Sequence, residues 1–241
     1  MQHVTHHAQS DAPAAMLRAM ATAKRFNQWM AHTLAPYISG DALELGAGIG
    51  NLSVLLSPLS HRYIAADIEH DYLAELNTRL RDQTNATVTA CDVLNSADLE
   101  PFRRRMDTVV CLNVLEHIED DVAALRNMHS CLRPGGRAVI LVPQGNRAFG
   151  TLDAVLDHCR RYSNQELAHK LAAAGFRVER TLNFNRITYP AWLFNGRILR
   201  RRHLGFVQLQ IFDALVPLWR RIDRFLPWPP TSLIAIGMRE D

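Results

Sequence analysis

The sequence predicts one α/β domain with a seven-stranded, mostly parallel, doubly wound sheet. Short apolar strand patterns alternate with amphipathic helix patterns about every 25 residues, which is typical of a parallel sheet covered on both faces. A glycine-rich turn, Gly46-x-Gly48-x-Gly50, directly follows the first strand pattern. The final strand pattern, Ser232–Met238, is predicted to be the antiparallel member of the sheet.

The elements follow in order along the chain. From Pro13 to Tyr37 apolar residues recur at helical spacing, and Pro36 ends that pattern. Strands are predicted at Asp41–Leu45, Arg62–Ala66, Ala86–Ala90, Thr108–Leu112, Arg137–Val142 and Phe176–Phe184. Helices are predicted at Gly50–Leu59, Asp71–Thr84, Asp120–Cys131 and Ser163–Ala174, with a turn at Arg133–Gly136. Ser163 with Glu166 forms a capping-box pattern at the start of the last of these helices.

These patterns divide the 241 residues into four parts. Residues 1–36 are predicted to be a tail and a lid helix, and residues 37–184 the core of the domain. Residues 185–230 are a helical insert, and residues 231–241 return to the sheet as its last strand. A chain of this length can bury a substantial apolar core.

The amino-acid composition is that of an ordinary globular protein and argues against nucleic-acid binding. The apolar fraction of 48% and the charged fraction of 21% are ordinary for a globular protein, and a net charge of +3 predicts no nucleic-acid partner. The four cysteines lie at least 20 residues apart without a CxxC pair, which indicates small buried or half-buried thiols in a reducing cytoplasm. They are Cys91, Cys111, Cys131 and Cys159.

The N-terminal segment has no basic stretch leading into an apolar core, so no secretory signal is predicted. No run approaches the ~20 apolar residues of a membrane span. His3, His6 and His7 are interpreted as part of a polar tail, and no metal site is predicted. We therefore expect a cytoplasmic protein.

Carboxylates at successive strand ends accompany the glycine turn. Asp67 follows Gly46 by 21 residues, and Asp92 follows the third strand pattern. Either aspartate alone is also typical of a helix N-cap or a turn, but an acidic residue about 20 positions beyond a glycine turn is where a ribose diol is bound. Glu44, two residues before Gly46, would repel a pyrophosphate and suits a cationic ligand such as the amino group of a methionine moiety.

These motifs resemble those of the class I S-adenosylmethionine-dependent methyltransferases. The resemblance covers Asp41–Val142 and rests on "LELGAGIGN", Asp67, "CDV", "LNVLEHIEDD" and "LRPGG". It implies a Rossmann-like fold and S-adenosylmethionine as the cofactor. It also implies nine cofactor-binding residues. Glu44 and the backbone of Gly46 and Gly48 hold the methionine part, and Asn113 offers backbone to its amine. Asp67 binds the ribose, Ile68, Asp92 and Val93 lie around the adenine, and Gly50 completes the glycine turn.

The acceptor side requires little more than alignment and, for a hydroxyl nucleophile, a proton acceptor. His158 in "DHCRRYS" is the first candidate, since a similar His-x-Arg-Arg-Tyr segment occurs in a bacterial subset of the family. His117 is the second, and its alternative role is to orient the start of a helix. Two interpretations stay open for the segment Arg160, Arg161 and Tyr162. It is either a solvated turn or a site that holds an anionic group of the substrate.

The insert is the part that departs furthest from a minimal fold. Residues 186–230 carry eight arginines against two aspartates, and three of the four tryptophans. Over Leu209–Leu226 an apolar face that includes Leu215 is predicted opposite a polar face that includes Asp213, with a kink at Pro217. Three interpretations stay open: a helix packed on the sheet or in a dimer, a lid over an apolar acceptor, or a helix at an anionic membrane surface.

The resemblance implies methyl transfer from S-adenosylmethionine to a small or lipid-like acceptor, with oxygen as the favoured atom. The alternatives are N- or C-methylation, a non-catalytic cofactor-binding module, and a membrane-surface module whose contact is made by residues 186–230.

Overall fold

The computed structural model describes residues 12–201 and 205–241, so the N-terminal histidines and Arg202 lie outside the described residues. Its strands are β1 (Asp41–Leu45), β2 (Arg62–Asp67), β3 (Ala86–Ala90), β4 (Met106–Leu112), β5 (Leu132–Pro143), β6 (Arg177–Phe184) and β7 (Ser232–Met238). They form one sheet in the order β3-β2-β1-β4-β5-β7-β6. β7 runs antiparallel to both β5 and β6, while the other pairs are parallel. The predicted fold class is confirmed.

The α-helices of the described residues flank this sheet. They are α1 (Ala12–Thr22), α2 (Lys24–Leu34), α3 (Ser53–Leu56), α4 (His70–Leu80), α5 (Ser96–Leu99), α6 (Asp121–Cys131), α7 (Thr151–Val155), α8 (Asn164–Ala173), α9 (Tyr189–Leu193), α10 (Phe206–Ala214) and α11 (Val216–Ile222). The predicted helices at residues 50–59 and 71–84 are shorter in the structure, and α5, α7 and α9 were not predicted.

Both faces of the sheet are buried because successive strand residues point to opposite sides. In β1, Leu43 packs in the cluster that contains residues of α5, α6 and α8. Ala42 packs on the other face, in the cluster that contains residues of α2, α3, α4, α10 and α11. The N-terminal helices and the insert therefore share one face of the sheet.

The strand order reverses between β1 and β4, which are parallel neighbours. In an open α/β sheet the crevice for a ligand lies beyond the carboxyl ends of the strands at such a point. The glycine turn follows β1 and the "LNVLEHIEDD" segment follows β4, so the topology places both at this crevice.

The N-terminal helical region is interrupted, which the sequence pattern did not predict. Ala23 has a ψ of 64°, outside the helical range, and it separates α1 from α2. The Asn27 side chain donates to the carbonyl oxygen of Met20 at 2.9 Å across this break. The change of direction allows α1 to line the crevice while α2 packs on the sheet. That α1 acts as a lid stays a prediction.

The prediction of a separate turn at Arg133–Gly136 is wrong. These residues belong to β5, whose pairing with β4 shifts register between Met106 and Thr108. Gly135 takes a φ of +79° within this bulge, and its N–H donates to the carbonyl of Arg239 at 2.7 Å. The glycines therefore allow a bulge that remains hydrogen-bonded to the end of the chain.

The insert contains two helices where one kinked helix was predicted. α10 ends at Ala214 and Pro217 lies in the first turn of α11, a position that needs no amide donor. Asp213, assigned to the polar face, is buried and accepts the N–H of Phe26 at 2.8 Å. Leu215, assigned to the apolar face, is exposed. The faces differ from the prediction because the break reorients α11 and because α2 supplies a donor to Asp213.

Three of the cysteines, Cys91, Cys111 and Cys131, are buried as predicted, whereas Cys159 is exposed. Cys159 lies in the irregular segment between α7 and α8. A search of the described residues finds no helix with the length and hydropathy that crossing a membrane requires.

Candidate active site

A cleft of about 1510 Å³ opens at the carboxyl ends of β1, β2 and β4. Its walls combine the glycine turn, α1, the segment after β4 and the insert. All predicted site residues except Gly50 line it: Glu44, Gly46, Gly48, Asp67, Ile68, Asp92, Val93, Asn113, His117 and His158. The structure therefore brings together the two groups of residues that were predicted separately.

The glycine turn has a backbone conformation that favours glycine. Gly46 has a φ of +76°, and a Cβ at this position would lie 2.3 Å from the Cγ2 of Val114. The Gly48 N–H donates to the Oδ2 of Asp67 at 2.6 Å, which fastens the turn to the end of β2. Gly50 also has a positive φ but lies behind the turn, against Leu76 of α4.

The Glu44 carboxylate is buried under the turn. Its Oε2 accepts the hydroxyl protons of Ser53 and Tyr63, the latter at 2.9 Å. Burial raises the pKa of Glu44, and the two hydroxyl donors lower it by less. Glu44 therefore joins β1 to β2 and α3 in addition to lining the cleft, a role that the spacing alone did not indicate.

The predicted ribose and adenine side consists of a carboxylate beside exposed apolar surface. The Asp67 Oδ1 accepts the N–H of Glu69 at 3.0 Å, and the side chain is held at the rim of the cleft. Ile68 is 58% exposed although it is apolar, as expected for a side chain that covers a planar ligand. Asp92 and Val93 line the cleft from the end of β3. A carboxylate for a diol and an apolar surface for a base fit S-adenosylmethionine.

Asn113 ends β4 in the left-handed region, with a φ of +55°. Its N–H donates to the carbonyl of Leu141 at 2.8 Å, so the last peptide of β4 stays paired with β5 while the chain turns into the cleft. Asparagine tolerates this conformation better than most residues. Its position agrees with the predicted backbone contact to the amine, which stays a prediction.

The acceptor end of the cleft contains two histidines and a buried glutamate. The rings of His117 and His158 lie 4.9 Å apart between centroids. The Nε2 of His158 is 3.9 Å from the Oε1 of Glu116, which is fully buried. Burial raises the pKa of Glu116 to about 8 and lowers the pKa of His117. The two predicted alternatives are thus neighbours in one cluster.

A second carboxylate orients His158. The Nδ1 of His158 lies 3.0 Å from the Oδ1 of Asp153, which also accepts from Arg161 at 2.7 Å. Burial raises the pKa of Asp153, but the hydrogen bond from His158 and the charge of Arg161 together hold it below its ordinary value. Trp192 of α9 donates to the other oxygen of Asp153 at 3.3 Å, so the insert contacts this cluster directly.

Residues that follow His158 pack into the protein and bind a buried carboxylate. Arg161 and Tyr162 are buried, which contradicts the prediction of a solvated turn. The Tyr162 hydroxyl donates to Asp121 at 2.8 Å, and Arg160 pairs with the same carboxylate at 2.8 Å. Asp121 therefore fastens this segment to the start of α6.

Glu116, Asp153 and Trp192 are members of the site that the sequence analysis did not select. The sequence did contain an indication for Glu116, because this residue directly precedes His117 in the motif that follows a buried strand. It contained none for Trp192, because this residue belongs to the insert and its partner Asp153 is distant in sequence. Asp153 lies only five residues before its partner His158, but no motif marked it.

Comparison with known proteins gives the family. The family model described as "Methyltransferase domain" matches residues 4–181. A relative from Mycolicibacterium smegmatis, named "Probable S-adenosylmethionine-dependent methyltransferase", is 30% identical over 64% of this chain. That alignment spans 58% of the relative's own length.

The names of two further relatives refer to quinone biosynthesis. A ubiquinone/menaquinone biosynthesis C-methyltransferase of Shewanella is 30% identical over 47% of this chain and 47% of the relative. A ubiquinone biosynthesis O-methyltransferase of Xanthomonas euvesicatoria is 25% identical over 68% of this chain and 73% of the relative.

Among solved structures, a phosphoethanolamine N-methyltransferase of Haemonchus contortus in complex with S-adenosyl-L-methionine has a TM-score of 0.58. It is 16% identical and aligns over 89% of this chain and 52% of that protein, which supports the fold alone. With the glycine turn, Asp67 and the family match together, the chain belongs to the methyltransferase domain family and is a class I S-adenosylmethionine-dependent methyltransferase.

Proposed function

We propose that the enzyme methylates an oxygen atom of a small or lipid-like acceptor. The observation that carries this proposal is that one cleft contains both the predicted cofactor residues and the Glu116–His117–His158 cluster. Bound S-adenosylmethionine supplies an activated methyl group. The chain's own residues then have to align a nucleophile and receive its proton.

His158 is the proposed contact for the acceptor hydroxyl. With Nδ1–H donated to the Asp153 carboxylate, the lone pair of this tautomer is on Nε2, on the side of Glu116. His117 is the second candidate. Its Nδ1 lies 3.3 Å from the carbonyl of Asp157, and a carbonyl can only accept, so its Nε2 is likewise unprotonated.

The apolar character of the acceptor is inferred from the part of the cleft lined by α2, α9 and α10. Residues of α2 and α10 contribute Met30, Leu209 and Phe212, and α9 contributes Trp192. Such a wall binds a hydrocarbon or aromatic body, while the histidine cluster receives a polar group. N- and C-methylation are the alternatives, and the named relatives include both C- and O-methyltransferases.

The test uses S-adenosylmethionine carrying a ¹³C-methyl group. The enzyme is incubated separately with lipid and water-soluble cell extracts, and the methyl carbon shift of the product identifies an O-, N- or C-methyl group. An O-methylated lipid or small molecule supports the proposal, and a product methylated only at nitrogen or carbon contradicts it. His158→Gln should reduce turnover and spare cofactor affinity. If only His117→Gln does so, our ranking of the two histidines is wrong.

We further propose that the insert contacts an anionic lipid surface. Several large apolar side chains of α10, α11 and their flanks point to solvent, although helices of a soluble domain normally bury such residues. They are Phe206, Val207, Ile211, Leu215, Leu218 and Phe225. Exposed arginines stand in the same insert: Arg197, Arg200, Arg201, Arg220, Arg221 and Arg224. This combination of exposed apolar and basic residues is complementary to an anionic bilayer.

Each arginine near an anionic surface contributes ~1 kcal/mol, so binding should be reversible and should weaken as salt is added. Co-sedimentation with phosphatidylglycerol vesicles measures it. Replacing Arg220, Arg221 and Arg224 by glutamine should reduce sedimentation. The matched control replaces Arg81, Arg103 and Arg105, three exposed arginines outside the insert, and should leave it unchanged. Equal sedimentation of both triple variants would refute the proposed surface.

A further inference from the structure

We propose that Glu116, His117 and His158 bind a divalent transition-metal ion of the Zn²⁺ type. Each residue offers one ligand atom, and the three atoms lie within 4.8 Å of one another. Two imidazole nitrogens and one carboxylate oxygen are a ligand set of catalytic zinc sites, which keep a further position open for water or substrate.

One nitrogen of each imidazole ring is left available to bind an ion. The Nδ1 atoms of both histidines are occupied, by the Asp153 carboxylate for His158 and by the Asp157 carbonyl for His117. This leaves Nε2 as the free lone pair of each ring. Histidines that ligate a metal through one nitrogen typically donate from the other to a carboxylate or a carbonyl, which fixes the ring and makes it more basic.

Glu116 gives the second, independent observation. The residue is fully buried, and neither of its carboxylate oxygens has a hydrogen-bond partner among the described residues. A buried carboxylate without a donor is costly unless a proton or a cation neutralises it. The nearest buried cation, Arg161, is hydrogen-bonded to Asp153. A metal ion in the cleft would satisfy Glu116.

The backbone holds His158 beside the adjacent residues Glu116 and His117 although these segments are distant in sequence. The Cys159 N–H donates to the carbonyl oxygen of Glu116 at 2.7 Å, so the residue after His158 is fastened to the residue before His117. Small side-chain movements are therefore enough to bring the ligand atoms to a common ion.

The role of the ion rests on the proposed function. A Lewis acid at this end of the cleft would bind the acceptor oxygen and lower the pKa of its hydroxyl, so that the oxygen reaches the methyl group as the stronger nucleophile and the proton passes to solvent. The acceptor oxygen would then bind the ion in place of a hydrogen bond to His158. Binding of the ion itself does not depend on this role.

The experiment measures metal binding directly, with Zn²⁺ and with Co²⁺ as a coloured probe. All proteins carry His3, His6 and His7 replaced by glutamine, so that the N-terminal histidines contribute no binding. We expect one Zn²⁺ per chain by calorimetry, and visible absorption bands of Co²⁺ that Zn²⁺ abolishes. Asp153→Asn, which alters the partner of His158, should weaken Zn²⁺ binding 10–100-fold. Glu116→Gln, His117→Gln and His158→Gln should weaken it at least as much.

The control is His169→Gln, which removes an exposed histidine outside the cleft and should leave Zn²⁺ binding unchanged. Thermal unfolding tests whether each variant is folded. Because the His117 side chain is exposed, His117→Gln should fold even if the variants at buried positions do not. Absence of Zn²⁺ binding to the parent protein, or equal binding by the cluster variants and the control, would overturn the inference. An O-methylated product formed at full rate by protein freed of metal would overturn the role given to the ion in catalysis and leave the proposed function standing. Zn²⁺ binding without any O-methylated product would support the site and count against the proposed acceptor chemistry.

Discussion

Gly46→Ala tests whether the glycine turn needs glycine for its conformation, for its contact with Val114, or for both. The φ of +76° disfavours an L-residue by about 1–2 kcal/mol. The added Cβ would also lie 2.3 Å from the Cγ2 of Val114, and such overpacking costs typically 1–3 kcal/mol. We therefore expect Gly46→Ala to lower the free energy of unfolding by about 2–5 kcal/mol.

Gly135→Ala is the matched control. Gly135 has a φ of +79°, and a Cβ there would meet nothing within 4 Å. This variant should lose only the conformational part, about 1–2 kcal/mol. Any gain from restricting the unfolded chain applies equally to both variants. The difference between them therefore isolates the contact with Val114.

The assay is urea unfolding followed by circular dichroism, extended to a double-mutant cycle. Val114→Ala removes the atoms that the new Cβ would meet, so the double variant Gly46→Ala/Val114→Ala should be less destabilised than the sum of the single variants, by about 1–3 kcal/mol. If Gly46→Ala and Gly135→Ala lose the same stability and the cycle shows no coupling, the close approach to Val114 has no energetic weight and our reasoning is wrong.

Three further predictions concern buried or half-buried aspartates. Asp67→Ala should weaken S-adenosylmethionine binding about 10–150-fold by calorimetry, the equivalent of ~1.5–3 kcal/mol for a charge-assisted hydrogen bond, and unchanged affinity in a folded variant would refute the assignment. Burial raises the pKa of Asp121, but hydrogen bonds from Lys170, Tyr162 and Arg160 bring this pKa below its ordinary value. The ionised Asp121 therefore stabilises the folded state above the unfolded-state pKa of ~3.9, and this stabilisation is lost as pH falls through the folded pKa. Urea unfolding should accordingly show Asp121→Asn less stable than the wild type near neutral pH, with the gap closing in acid, and a gap independent of pH would contradict this. Asp213→Ala should leave the Phe26 N–H unpaired and speed its hydrogen exchange, whereas unchanged exchange would show that the 2.8 Å bond does not hold α2.

The fold class and the predicted cofactor residues could be derived from sequence because they depend on local order along the chain. Strand, glycine turn and helix are neighbours in sequence, so the pattern around Gly46 already implies a backbone turn. Since parallel strands end at the same edge of a sheet, the carboxylates Asp67 and Asp92 could be assigned to one crevice from their strand-end positions alone.

The acceptor end and the insert were decided by the tertiary structure. Glu116 and Trp192 belong to segments distant in sequence from His158, and only tertiary contacts bring Glu116 near His158 and Trp192 to Asp153. A periodic pattern records which residues share a face of one helix, but not which partner covers it. For this reason Asp213 was assigned to solvent although it pairs with the Phe26 amide. Local physics thus determined where the chain turns and where the cofactor is predicted to bind, while long-range contacts determined which side chains meet at the other end of the cleft.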